Sequence, residues 1–199
     1  LTGPQLGFVM PERLVEIELH SPSLNVRGTT AAGAPVIGIG HNEHVAWGVT
    51  SGLGDEDDLY AERLVGDEGY RFRGRTETMD CRDETFTYRP PPSDFLALLD
   101  LEAPDTSAGS HTERVCRTAH GPVQEVVEGE GIAYARKYAI WKREVGTIVG
   151  LDKVNRAASI EDVDAAADEL TWNENLMAAD DRGNIGYWSP GLMPVRSKR

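Results

Sequence analysis

The twenty residues from His41 to Tyr60 constrain this chain more than any other stretch. Val45, Trp47 and Val49 alternate with small or polar residues, the period of a strand with one buried face. Ser51-Gly52-Leu53-Gly54 follows, a flexible turn that can bring backbone N–H groups up to a ligand. Four acids, Asp55-Glu56-Asp57-Asp58, then lead directly into Leu59 and Tyr60. A strand that ends on a cluster of amides and runs on into a cluster of carboxylates needs a strand-rich frame to hold it.

The flanking sequence supplies that frame. Val15, Ile17 and Leu19 alternate with Glu16 and Glu18, and Asn25–Gly28 and Pro35–Gly40 read as short strands split by Gly-rich turns. The first sixty residues are therefore expected to form a meander of packed strands rather than a βαβ unit. Tyr60–Val65 reads as a strand on which Tyr70-Arg71-Phe72 pairs back. Strands over 79–88 and 113–126 flank a loop insertion at 89–112, where Pro90-Pro91-Pro92 stops the strand and Ser93 can cap a short helix through Leu101. Ile132–Trp141 alternates again.

After Glu144 the period changes. Ile148, Leu151 and Val154 lie at helical spacing, and Ser159-Ile160-Glu161-Asp162 fits a capping box ahead of the stripe Ile160, Val163, Ala167, Leu170. Asn175–Asp180 and Ile185–Trp188 read as a hairpin around Asp181-Arg182-Gly183-Asn184. The expected class is α+β, strand-rich, with one or two helices in the C-terminal third. No linker divides the chain, so residues 1–199 are expected to be a single segment.

Cys81 and Cys116 lack the C-x-x-C spacing of a metal site. If the strands that carry them pair as an antiparallel hairpin, the two cysteines stand opposite each other. They then form a disulfide in an oxidising compartment; two free buried thiols are the alternative. A formal charge of −13 excludes non-specific nucleic-acid binding, which needs a basic footprint. No apolar run approaches the ~20 residues of a membrane-spanning helix, so no membrane partner is expected.

The common catalytic motifs (a G-x-S-x-G elbow, an H-E-x-x-H helix, a P-loop) are missing, and Gly38-Ile39-Gly40 runs into a strand instead of a dinucleotide-binding helix. His41 and His44 read as structural. The acids at 55–58 read either as a solvated loop or as oxygen ligands for Ca²⁺. Asn175, taken alone, reads as a satisfied loop amide.

Taken jointly, several motifs resemble the β chain of the penicillin acylase family. They are Gly3-Pro4-Gln5-Leu6-Gly7, Leu19-His20, Gly40-His41-Asn42 with Ala46-Trp47-Gly48-Val49-Thr50, Asp55-x-x-Asp58, Arg117-Thr118-Ala119-His120-Gly121-Pro122-Val123, Ala133-Tyr134-Ala135, and Asn175-x-x-x-Ala179-Asp180 with Gly183-Asn184-Ile185-Gly186-Tyr187. They follow the family's order over nearly the whole chain. The resemblance implies a partial αββα fold of the N-terminal-nucleophile hydrolases and maturation by self-cleavage. It also implies attack on an amide by the hydroxyl of an N-terminal Ser whose own α-amine, titrating at about 7.7–8.0, serves as base.

By motif position, the resemblance implies that Ser51 supplies a backbone N–H and Asn175 a side-chain donor to the oxyanion, and that Gln5 orients the nucleophile. Leu6 and Ile39 stand where penicillin G acylases place aromatic pocket residues, and their aliphatic walls suit a linear acyl chain. Asp55, the carbonyl of Asp57, and Asp58 correspond to a structural calcium site, with Asp180 as a further ligand.

No residue of the chain matches the nucleophile. The chain begins at Leu1 without Met and is expected to be an excised segment, inactive alone, whose partners are the acylase α chain and the rest of the β chain. Loss of a neighbouring strand is expected to expose a sheet edge and favour self-association. The expected substrate is a small amide such as a β-lactam antibiotic, an N-acyl homoserine lactone or an acyl-peptide, and the expected location is secreted or periplasmic. The rival reading is a catalytically inactive, β-rich calcium-binding or interaction module.

Overall fold

The computed structural model describes residues 13–88, 109–127 and 129–196. Gln5, Leu6 and the helix expected after Ser93 lie outside the described residues. The chain is α+β. Its strands are β1 (Leu14–Ser21), β2 (Leu24–Ala31), β3 (Ile39–His41), β4 (Val45–Ser51), β5 (Asp57–Val65), β6 (Gly69–Phe72), β7 (Arg75–Thr78), β8 (Asp80–Tyr88), β9 (Gly109–Arg117), β10 (Val123–Val127), β11 (Ile132–Tyr138), β12 (Glu174–Asp180) and β13 (Ile185–Trp188). Two helices, α1 (Gly146–Asn155) and α2 (Ile160–Ala167), lie in the C-terminal third as expected.

The chain divides into two compact units, one from Leu1–Asp57 with Tyr138–Arg199 and the other from Asp58–Lys137. The sequence showed no linker because the boundaries fall inside β5 and β11, where no Pro- or Gly-rich break is needed.

The first unit is one antiparallel sheet in the order β1-β2-β3-β4-β12-β13, so the four N-terminal strands do form the meander. In the β4–β12 register Leu176 faces Val49 and Ala178 faces Trp47. These residues, with Val26, Val36, Ile37 and Val45, pack on Leu151 and Val154 of α1 and Val163 and Ala166 of α2. The opposite face carries Ala46, Gly48 and Thr50, the in-between positions of the strand period. Burial of a side chain such as Leu176 or Val163 stabilises by roughly 1.5–3 kcal/mol. Helix α2 starts where the capping box predicts: Ser159 Oγ accepts from the Asp162 N–H at 3.3 Å, and Asp162 Oδ2 accepts from the Ala158 N–H at 2.9 Å.

The second unit holds a sheet in the order β10-β11-β5-β6-β7 and a separate β8–β9 hairpin. Tyr70 pairs with Leu64 as expected. In the hairpin Cys81 stands opposite Cys116, with Cα atoms 4.1 Å apart, and the two are bonded as a disulfide. Two boundaries differ from expectation. Residues 109–112 belong to β9, with Gly109 opposite Tyr88, so they are not part of the loop insertion. The single strand expected over 113–126 is broken at Thr118–Pro122. There the Thr118 N–H donates to the Gly121 carbonyl at 2.9 Å, and His120 Nδ1 lies 2.7 Å from Glu62 Oε1 while its ring stacks on Tyr60 at 3.8 Å. Glu62 is buried, and this long-range pairing outweighs local strand propensity.

Candidate active site

The geometry begins with the ladder between β4 and β12. Ser51 stands opposite Glu174 and Thr50 opposite Asn175. The next pair outward, Gly52 and Asn173, is hydrogen-bonded, with the Gly52 N–H on the Asn173 carbonyl at 3.0 Å. Antiparallel ladders alternate between bonded and non-bonded pairs, so the Ser51–Glu174 pair is non-bonded and the Ser51 N–H points away from β12. On its other side β4 pairs with β3, but β3 ends at Ile39, short of Ser51.

The reason β3 stops there is a side chain from α1. Asn155, almost fully buried, accepts from the Ile37 N–H at 2.7 Å and donates to the Ile37 carbonyl at 2.9 Å, occupying both of its ladder groups. The chain before Ile39 is thus held off β4, and the Ser51 amide is left outside the ladder.

Asn175 reaches the same spot from the neighbouring strand. Its Nδ2 donates to the Ser51 carbonyl at 3.1 Å and to Thr50 Oγ1 at 3.2 Å, and its Oδ1 accepts from Tyr187 Oη at 2.6 Å. The orientation of the amide is set chemically, because the Ser51 carbonyl can only accept. The structure therefore brings Ser51 and Asn175 together, as the sequence predicts. A substrate oxygen here would replace one of the two acceptors that Asn175 now serves.

The turn after Ser51 is held by Asn173, which sequence reasoning passed over. Its backbone N–H donates to Glu56 Oε1 at 2.6 Å, its Oδ1 accepts from the Gly54 N–H at 2.7 Å, and its Nδ2 donates to the Pro190 carbonyl at 2.8 Å. Gly52 is required where it stands, since a Cβ there would lie 2.1 Å from Asn173 Oδ1. Leu53 takes a positive φ of 54° between the two glycines.

A cavity of about 710 Å³ opens beside Ser51. Ile39, Val36, Val49, Ile148, Leu151 and Trp172 give it apolar walls, and Ser51 and Glu174 lie among its lining residues. Ile39, the expected substrate-binding residue, is one of these walls.

Burial of the Glu174 carboxyl, and secondarily the charge of Glu56, push its pKa up from 4.5 to about 7. The folded state then keeps the Glu174 proton up to about pH 7, while the unfolded chain loses it near its ordinary value. Folding stability accordingly falls as pH rises between these values, and the penalty is constant above the upper one. Because the carboxyl is partly exposed, solvent screening reduces the effect to about 1–2 kcal/mol. Glu174→Gln is expected to flatten this slope and to exceed the wild type in stability at about pH 8 by about that amount. Denaturant midpoints of both proteins across the range check this, and parallel curves would contradict it.

Asp55 and Asp180, expected as calcium ligands, have partners within the chain. Asp55 pairs with Arg196 at 3.0 Å. Asp180 anchors the β12–β13 turn, accepting from the Asn184 and Arg182 N–H groups at 2.8 and 3.1 Å and from Asn184 Nδ2 at 3.0 Å. Those hydrogen bonds, from the Asn184 side chain first, hold its pKa below the usual range. Asp57 opens β5 with Asp58 next to it. Among the described residues no three His, Cys, Asp or Glu side chains converge closely enough to hold a metal ion. Of the histidines beside β4, His44 Nδ1 lies 3.0 Å from Asp181 Oδ2, and His41 Nδ1 is 3.2 Å from the Asn42 carbonyl.

The chain is 29% identical to penicillin G acylase of Escherichia coli over 198 residues, which is 98% of this chain and 21% of that protein. It is 28% identical to an acyl-homoserine lactone acylase of Pseudomonas aeruginosa and to aculeacin-A acylase of Actinoplanes utahensis, over 97% and 98% of its length. It thus spans between a fifth and a quarter of the length of these relatives. Among solved structures it is similar to a thermostable penicillin G acylase from Alcaligenes faecalis, with a TM-score of 0.81 and 29% identity over 96% of this chain and 32% of that one. The model of the penicillin amidase family matches residues 1–199. The chain belongs to the penicillin amidase family.

Proposed function

We propose that the protein hydrolyses an amide bond, transferring its acyl group to water, and that these residues supply the oxyanion hole and part of the acyl pocket. The observation that carries this reading is the Ser51 N–H left outside the ladder beside an apolar cavity, with the Asn175 amide at the Ser51 carbonyl. In the reaction, the hydroxyl of an N-terminal Ser adds to the amide carbon and its α-amine takes the proton. The carbonyl oxygen becomes an oxyanion that accepts from the Ser51 N–H and Asn175 Nδ2. Collapse expels the amine, which takes up the proton. Water then adds to the resulting ester, and the acid leaves with the hydroxyl restored. No residue of this chain is assigned as nucleophile. Calcium takes no part in this reading.

The rest follows the family resemblance: self-cleavage exposes the nucleophile, an α chain and further β-chain residues complete the enzyme, and the protein is secreted or periplasmic. The Cys81–Cys116 bridge supports that location, because disulfides persist in oxidising compartments. The substrates are N-acyl compounds such as β-lactams, acyl homoserine lactones or acyl-peptides. Ile39 and the aliphatic walls around it favour a linear acyl chain. Full-length protein is expected to hydrolyse octanoyl amides at least as well as phenylacetyl amides. A clear preference for phenylacetyl would overturn the linear-chain assignment, and hydrolysis of neither would overturn the proposed function.

A further inference from the structure

Among the described residues, the cavity that would receive the acyl group is lined by one ionisable side chain, and its position is specific. Glu174 is the cross-strand partner of Ser51, the residue whose amide meets the oxyanion, and it lines the cavity with Ser51. In a non-hydrogen-bonded antiparallel pair the two Cα atoms are about 4.5 Å apart and the side chains share a face. Glu174 therefore lines the cavity at the strand position beside Ser51, at the end where the oxyanion would sit.

The surroundings make that carboxyl expensive to leave alone. The other walls are mostly apolar, and no ion pair or hydrogen bond to the Glu174 side chain is found among the described residues. The charge acting on it is another carboxylate, Glu56, which accepts from the Asn173 N–H at 2.6 Å and from Tyr138 Oη at 3.4 Å. Both burial and Glu56 oppose ionisation of Glu174, and a ligand cation would relieve both. A purely aliphatic acyl chain would instead leave the carboxyl desolvated with nothing to bond.

We propose that Glu174 is a specificity-determining residue that selects acyl groups bearing a protonated amine on the carbon next to the scissile carbonyl. The ammonium donates to the Glu174 carboxylate while the carbonyl oxygen takes the Ser51 and Asn175 donors. The remainder of the acyl group lies along Ile39, Val49 and Ile148. The inference rests on the proposed amide hydrolysis and narrows its substrate class.

Two matched amide pairs test it on the full-length, matured protein: 2-aminooctanoyl against octanoyl anilide, and phenylglycyl against phenylacetyl anilide. Within each pair the two differ by one amino group. Wild type is expected to show a lower KM for the amino member. Glu174→Gln, which keeps the shape and removes the charge, is expected to shift the kcat/KM ratio at least tenfold toward the neutral member, through KM with little change in kcat. A ratio that Glu174→Gln leaves unchanged, in an enzyme that still hydrolyses the neutral anilide, overturns this inference alone. If no anilide is cleaved, the amide-hydrolysis reading fails separately. Calorimetric binding of the same pairs to wild type and Glu174→Gln then decides the Glu174 assignment: tighter binding of the amino member that the substitution abolishes supports it, and equal binding overturns it.

Discussion

With amide hydrolysis as proposed, Asn175→Ala in the full-length protein is expected to lower kcat by about 10²–10³-fold, the usual cost of removing one oxyanion donor. KM should change much less, because the hydrogen bond strengthens only as charge develops on the carbonyl oxygen. The fold tolerates the change. The Asn175 side chain is only partly buried, and its partners, Thr50 Oγ1, the Ser51 carbonyl and Tyr187 Oη, can turn to water. Tyr187→Phe separates donor from support. It leaves Nδ2 in place and removes only the hydroxyl that holds Oδ1, so it should cost kcat far less, about tenfold at most, the worth of a neutral hydrogen bond. Steady-state kinetics on both variants check this. Equal losses would mean that the amide acts through Tyr187 and not on the oxyanion.

Part of this site is legible in the sequence because its signals are local. The alternation of Val45, Trp47 and Val49 fixes which face of β4 is buried, and the turn that follows places Ser51 at a strand end. The Cys81–Cys116 pairing is legible for a similar reason, since antiparallel register follows once two strands are read correctly. What stays hidden is the long-range hydrogen bonding. Asn155 and Ile37 lie 118 positions apart, and Asn173 and Gly54 lie 119 apart. An Asn in a helix or loop carries no mark that its amide will replace a strand. Glu174 is hidden in another way. Beside Asn173 and Asn175 it reads as part of a polar loop, and only the β4–β12 register turns it toward the cavity. The partners of the acids are hidden as well: Asp55 pairs with Arg196 from the far end of the chain, and Asp180 accepts from turn amides.

Asn155→Ala is expected to be the most destabilising single change in the first unit, costing about 3–5 kcal/mol. The Ile37 N–H and C=O are fully buried and would both lose their partner, at about 1–3 kcal/mol for each unsatisfied group. Among the described residues the carbonyl then keeps the long 3.3 Å bond from the Trp47 indole. The cavity left by the amide adds to the loss. Asn155→Asp distinguishes hydrogen bonding from volume, because it conserves shape. Protonated, the introduced carboxyl can accept from the Ile37 N–H and donate to its carbonyl; ionised, it sets a buried charge against that carbonyl. The folded state therefore holds its proton to a higher pH than the unfolded chain does, and the variant loses stability as pH rises. Denaturant titration should find Asn155→Asp more stable than Asn155→Ala at about pH 4.5 and losing that advantage by about pH 8, with the Ala variant following the wild-type pH dependence throughout. Since Asn155 also holds the chain before Ile39 away from β4, residual activity in either variant should fall further than the folded fraction does. Rescue of full activity at saturating stability would break the link between this amide and the exposed Ser51 N–H.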